Sequence, residues 1–386
     1  MPDGWSPPDA SPADSWQGVD GGATERPGEN ADTGSADDTG SADDTGSADD
    51  SGATDDAGGD TLVTIAPALL TQERWANNQD GFWDAQKWLA GDFDGDGRSD
   101  LANVFGDRGQ ASIDVHQSTG WTFAARRWAT QQNGFWDAQK WLAGDFDGDG
   151  RADLANVFAD RGQASINVSL STGSSFVVQR WATQQNGFWD AQKWLAGDFD
   201  GDGRADLANV FNDLGQVSID VHLSTGSSFV VQRWVTQQNG FWDAQKWLAG
   251  DFDGDGRADL ANVFDDLGQA SIDVHRSTGW TFTSARWVGQ QVGFWDAQKW
   301  LAGDFDGDGR ADLANVFNDL GLDSIDIHRS TGWTFTSERW VTQQGGFWDA
   351  QKWLAGDFDG DGRADLANVF SGQLGASIDV RRRTQP

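Results

Sequence analysis

Nine residues, Asp92-Phe93-Asp94-Gly95-Asp96-Gly97-Arg98-Ser99-Asp100, set carboxylates at positions 1, 3, 5 and 9 of one short run. Alternate carboxylates on a tightly curled loop converge on one centre, and the glycines at positions 4 and 6 permit the curl and a close backbone approach. The chemistry this supports is cation binding. Asp92, Asp94 and Asp96 are the expected carboxylate ligands, Arg98 offers its main-chain carbonyl, and Asp100 is the terminal ligand. An all-oxygen donor set favours Ca2+ over Mg2+, which retains waters and demands tighter geometry. The chain has no Cys and the loop no His, so zinc and copper fit poorly.

The loop returns five more times as DFDGDGRAD, every 53 residues. Its equivalent ligands are Asp145, Asp147, Asp149, Arg151 and Asp153; Asp198, Asp200, Asp202, Arg204 and Asp206; and Asp251, Asp253, Asp255, Arg257 and Asp259. The last two copies carry Asp304, Asp306, Asp308, Arg310 and Asp312, then Asp357, Asp359, Asp361, Arg363 and Asp365. About six Ca2+ ions, one per repeat, are expected. Each loop saturates its own ion, so the predicted role is structural rather than that of a Lewis acid.

The elements that must hold these loops repeat with them. GFWDAQKWLAGDFDGDGR begins at 81, 134, 187, 240, 293 and 346, and such a period marks a propeller or a solenoid. Each unit reads as four short strands, near 86–93, 100–105, 111–116 and 122–130 in the first, separated by Gly-rich turns. The third alternates Ala, Ile and Val with Ser, Asp and His, the pattern of a strand with one buried face. That reading puts His116, His222, His275 and His328 at the rim.

The expected fold is all-β: a six-bladed β-propeller of 53-residue, four-stranded repeats, with seven blades or an open array as the alternatives. The final unit stops after its third strand, and the missing piece precedes the first unit, where Leu70-Thr71-Gln72-Glu73-Arg74-Trp75 matches Phe335-Thr336-Ser337-Glu338-Arg339-Trp340. An N-terminal strand would then complete the C-terminal blade and close the ring. Residues 1–60 are expected to be a disordered acidic Gly/Ser/Asp-rich leader, and 61–386 the propeller.

The formal charge of −34 opposes nucleic acid and anionic membranes as partners. No apolar run is long enough to span a bilayer, and the N-terminus lacks the basic start and apolar core of an ordinary signal peptide. Calcium demand nevertheless suggests an extracellular or cell-surface location, since extracellular modules bind calcium as weakly as about 10⁻⁴–10⁻³ M. The oligomeric state is left open.

Two sets of tryptophans, Trp88 with its counterparts and Trp128 with its counterparts, suit packing between blades. Trp121, Ser174, Ser227, Trp280 and Trp333 vary at one position, which suggests the surface. Just upstream of each loop an invariant string supplies Trp83, Asp84 and Lys87; Trp136, Asp137 and Lys140; Trp189, Asp190 and Lys193; Trp242, Asp243 and Lys246; Trp295, Asp296 and Lys299; and Trp348, Asp349 and Lys352. One reading pairs the acid and amine structurally. The other makes the indole, acid and amine a surface that stacks a sugar ring and bonds its hydroxyls, with multivalency from the ring. No asymmetric nucleophile, base and acid constellation stands out, so an enzyme is not expected.

The loop and its flanking strands resemble FG-GAP or VCBS-type calcium-binding repeats, as in integrin alpha-chain propellers and integrin-like fungal lectins, over about residues 64–383. That resemblance implies calcium at the loop aspartates. The indole, acid and amine string makes glycans or glycoproteins the expected partners of a non-catalytic, lectin-like propeller. A protein-binding adhesion or scaffold module, or an accessory domain of a secreted enzyme or toxin, is the alternative.

Overall fold

Short, β-rich runs punctuated by Gly turns dictate a meander: each of the first five repeats forms one four-stranded antiparallel sheet in sequence order, and the sixth supplies three strands of its sheet. The computed structural model describes residues 70–79, 87–132, 140–185, 193–238, 246–291, 299–344, 352–371 and 375–383. In the first blade the strands are Lys87–Gly91, Asp100–Asp107, Gln110–Ser118 and Phe123–Gln132. The four strands expected from sequence are all present. Six such blades are present, and the described residues contain no helix.

The innermost strands, Lys87–Gly91 and its five counterparts, surround an axial cavity of about 360 Å³ lined by their Trp-Leu-Ala segments. Leu70–Gln79 pairs antiparallel with Ala376–Arg383, from Leu70 opposite Arg383 to Gln79 opposite Ala376. The N-terminal strand therefore completes the sixth blade. Arg74 binds Asp379 across this seam as Arg339 binds Asp326 within the fifth blade, so the closing strand reproduces the ion pair of an ordinary outer strand.

Packing between blades explains the aromatic usage. Trp88 and its counterparts are 7–8% exposed, and Trp128 and its counterparts are equally buried. Phe93, at position 2 of the loop, is fully buried and meets Phe176 of the next blade edge-on at 5.9 Å, with Trp128 tilted against the same Phe176 at 5.3 Å. The acidic loop is thereby pinned into the interface by its own second residue.

Two expectations are corrected. The third strand is buried on both faces, because each blade is sandwiched between neighbours: Ser112, Asp114 and His116 are as inaccessible as Ile113 and Val115. Its polar face survives burial through partners, such as Asp114 with Arg127 of the outer strand and Ser112 Oγ accepting the Gln131 amide at 3.1 Å. The histidines are likewise core residues and not rim residues. His116, His222, His275 and His328 are all at most 1% exposed and lie against Trp88, Trp194, Trp247 and Trp300 of the inner strands.

Candidate metal centre

The loop joins the inner strand to the second strand, and glycine is demanded at both of its tight points. Gly95 and Gly97 have φ of +80° and +87°, and a Cβ on Gly95 would stand 3.0 Å from Arg151 Cγ of the next blade. Within the loop, Asp92 accepts the amides of Gly95 at 2.7 Å and Asp96 at 3.1 Å on Oδ1, and of Gly97 at 2.8 Å on Oδ2. Asp96 Oδ1 accepts the Arg98 amide at 3.0 Å, and the Arg98 guanidinium pairs with the other oxygen of Asp96.

Asp100 is fully buried, accepting the Phe93 amide at 3.2 Å and the Ser118 amide at 2.7 Å. It ties both ends of the loop to the third strand. Burial, helped by the charges of Asp94 and Asp92, pushes its carboxyl up to about 7 against the pull of the Ser118 amide. Asp94 is also raised, first by burial and then by Asp96. These are the marks of negative charge crowded into a space that a cation would relieve.

The donor set fits a hard divalent ion. Carboxylate oxygens of Asp92, Asp94 and Asp96 come within 4.8 Å of one another, as do those of Asp251, Asp253 and Asp255, and of Asp304, Asp306 and Asp308. In two other repeats the cluster takes in the ninth position instead: Asp145, Asp147 and Asp153, and Asp198, Asp200 and Asp206. Positions 1 and 3 thus meet in each of these five repeats, joined by position 5 in three of them and by position 9 in two. An ion held there would neutralise the carboxylates and brace the turn between inner and second strands.

One feature was not readable in the sequence. The amide of position 8 in each loop donates to the position-1 carbonyl of the preceding loop: Ala152 to Asp92 at 2.7 Å, Ala205 to Asp145 at 2.6 Å, and so on to Ser99 on Asp357 at 2.6 Å. The six loops form a closed hydrogen-bonded belt. A hydroxyl at the end of the third strand adds a second tie, as in Ser171 Oγ to the Phe93 carbonyl at 2.6 Å. In the sixth blade Arg383 takes that serine's place and reaches the Asp306 carbonyl at 3.3 Å.

The candidate recognition residues divide. Trp83, Asp84, Trp136, Asp137, Trp189, Asp190, Trp242, Asp243, Trp295, Asp296, Trp348 and Asp349 lie outside the described residues. The lysines Lys87, Lys140, Lys193, Lys246, Lys299 and Lys352 begin the inner strands and are half-buried. The variable position is exposed, with Trp121, Trp280 and Trp333 at 70–73%.

A closed ring of blades, each with an acidic loop on the same face, defines a β-propeller of loop-bearing repeats. The model of the FG-GAP-like repeat matches residues 92–156, 198–262, 251–315 and 304–367, more than half of the sequence, and the chain belongs to that family. No curated protein matches the sequence. Among solved structures, a Photorhabdus luminescens Tc holotoxin pore is similar, with a TM-score of 0.55 and 17% identity over 82% of this chain and 14% of that one. TolB from Acinetobacter baumannii has a TM-score of 0.40 and 15% identity, covering 67% of this chain and 55% of that one. The rhamnogalacturonan lyase YesW has a TM-score of 0.41 and 13% identity, covering 82% and 76%. The toxin likeness reports the shared propeller fold.

Proposed function

We propose that the chain is a calcium-stabilised, non-catalytic propeller that binds carbohydrate at several points on one face, outside the cell or at its surface. The observation that carries this reading is the placement of the exposed indoles. Trp121, Trp280 and Trp333 are 70–73% exposed, at the turn between third and outer strands. In each case the preceding glycine packs on the cation loop of the neighbouring blade: Gly120, Gly279 and Gly332 would place a Cβ 3.5–3.6 Å from the carbonyls of Asp359, Asp200 and Asp253. A large flat ring is thus exposed beside an acidic loop, with the Arg382 guanidinium over the Trp121 ring at 5.0 Å and that of Arg276 over Trp333 at 5.2 Å.

Leaving an indole in water forfeits the burial that the other tryptophans gain. An exposed ring face beside polar groups suits a sugar ring, whose C–H face stacks on the indole while its hydroxyls find acceptors. Calcium acts through the loop, holding rigid the surface on which the indole stands, and repetition on one ring supplies avidity.

The test is a glycan array with calcium and then with chelator, using the full chain and its Trp121→Ala/Trp280→Ala/Trp333→Ala variant. Binding that needs calcium and is lost in the variant supports the reading. No glycan bound by the calcium-loaded chain rejects it and favours a protein-binding module.

A further inference from the structure

The inner strands run from Lys87 to Gly91, so their two ends are about 14 Å apart at the rise of an extended strand. The cation loops follow Gly91. Every lysine of the chain stands at the other end: Lys87, Lys140, Lys193, Lys246, Lys299 and Lys352.

Lys87 lies opposite Val104 and Leu89 opposite Ala102, so the two share the strand face that is turned to the next blade. Leu89 packs there into the interface with Trp141 and Leu154. Each ammonium therefore belongs to the seam between adjacent inner strands, beyond the Trp-Leu-Ala segments that line the axial cavity of about 360 Å³.

The lysines act on one another around the full circle. Lys140 is held below the usual range by burial and then by Lys193 and Lys87, and Lys193 by burial and Lys246. Lys299 is lowered by burial, Lys246 and Lys352, and Lys352 by burial and Lys87. All six neighbouring pairs occur in this set, which closes the ring of like charge. Among the described residues, no carboxylate relieves these four lysines, whereas Arg98, Arg127 and Arg233 each have an aspartate.

Trp88, Leu89 and Ala90, and not the lysines, supply the inner strand's apolar contacts. We propose that the lysine ring is a binding site for a compact, soluble oxyanion carrying several negative charges, of the sulfate or phosphate ester class, seated on the propeller axis at the end away from the cation loops. Each ammonium brings three donors and a full charge, and one central anion is shared by all six. The acidic loops lie farther off than the Debye length of about 8 Å at physiological salt, so their opposing field is screened.

The probe is myo-inositol hexasulfate, a weak calcium ligand, titrated calorimetrically into the full chain with excess calcium, starting at physiological salt. The expected result is one anion per chain, with affinity that falls as salt rises. Lys193→Gln should weaken it several-fold, and Lys87→Gln/Lys193→Gln/Lys299→Gln should abolish it. Absence of binding to the wild type, or an affinity unchanged in the triple variant, overturns the proposal. Should the triple variant fail to fold, the single variant decides: with its melting temperature retained, an unchanged affinity rejects the site.

Discussion

Arg381, fully buried in the sixth blade, forms an ion pair with Asp323, equally buried in the fifth. Both residues depart from the repeat. Arg381 stands where four other blades carry His116, His222, His275 and His328, and Asp323 stands where the others carry Ala111, Ala164, Val217, Ala270 and Ala376. The two departures meet across one interface, beside the blade that the N-terminal strand completes. Near-identical blades offer many wrong neighbours during closure, and a charge pair that is neutralised in only one arrangement discriminates among them.

Asp323→Ala should therefore destabilise the chain by about 3–5 kcal/mol, because it removes the buried carboxylate that offsets the charge of Arg381. Asp323→Ala/Arg381→His, which restores the Ala-with-His combination of three other interfaces, should recover most of the loss. Urea unfolding of the three chains measures both effects. Equal stability of the single and double variants would sink the explanation.

Close approach of the blades gives a second prediction. A Cβ on Gly197, at the end of an inner strand, would lie 2.6 Å from the Cβ of Ala258 in the next blade. Gly197→Ala should cost about 1–3 kcal/mol through this overlap. Gly197→Ala/Ala258→Gly should regain part of it, as a shift in thermal midpoint would record.

Acid sensitivity should come in part from the histidines. Burial holds His275 down at about 4 against an ordinary 6.5. A histidine that stays neutral in the fold while the unfolded chain takes up a proton contributes stability present above about 6.5 and lost as pH falls towards 4. The loop carboxylates oppose this in the cation-free chain: Asp100, raised to about 7, loses its contribution as pH rises from 3.8 to 7. The difference between wild type and His275→Ser isolates the histidine, because Ser169 already fills that position in the second blade. The variant should lose less stability between pH 6.5 and 4.5, by up to about 2–3 kcal/mol at about 1.4 kcal/mol per pH unit. Parallel pH profiles would contradict the assignment.

Much of this architecture is legible in the residues. The 53-residue period, the strand and turn signals and the displaced Leu70–Trp75 segment point to a closed ring of six blades, because each reports a local physical demand that the repeat multiplies. The carboxylates of the loop likewise announce their convergence by spacing alone. The environment of His116 is not legible, since the polar half of its strand alternates as if solvated while a neighbouring blade covers it. Alternation reports two faces, and burial of the second depends on what packs there. The belt from Ala152 to Asp92 is hidden for a related reason: it is made by backbone groups of different repeats, which no side-chain pattern records. The lysine ring lies between these cases, with its composition plain in the sequence and its closure visible only once the inner strands are placed around an axis.

A structural role for cations at the belt of loops is tested most directly by counting them while following stability. Calorimetric titration of the calcium-stripped chain should saturate near six Ca2+ per chain, matching its six loops. Each site filled to a hundred times its dissociation constant should add about 2.7 kcal/mol, so chelation should lower the melting temperature strongly. A chain that binds no calcium, or that melts at the same temperature with calcium and with chelator, would contradict the account.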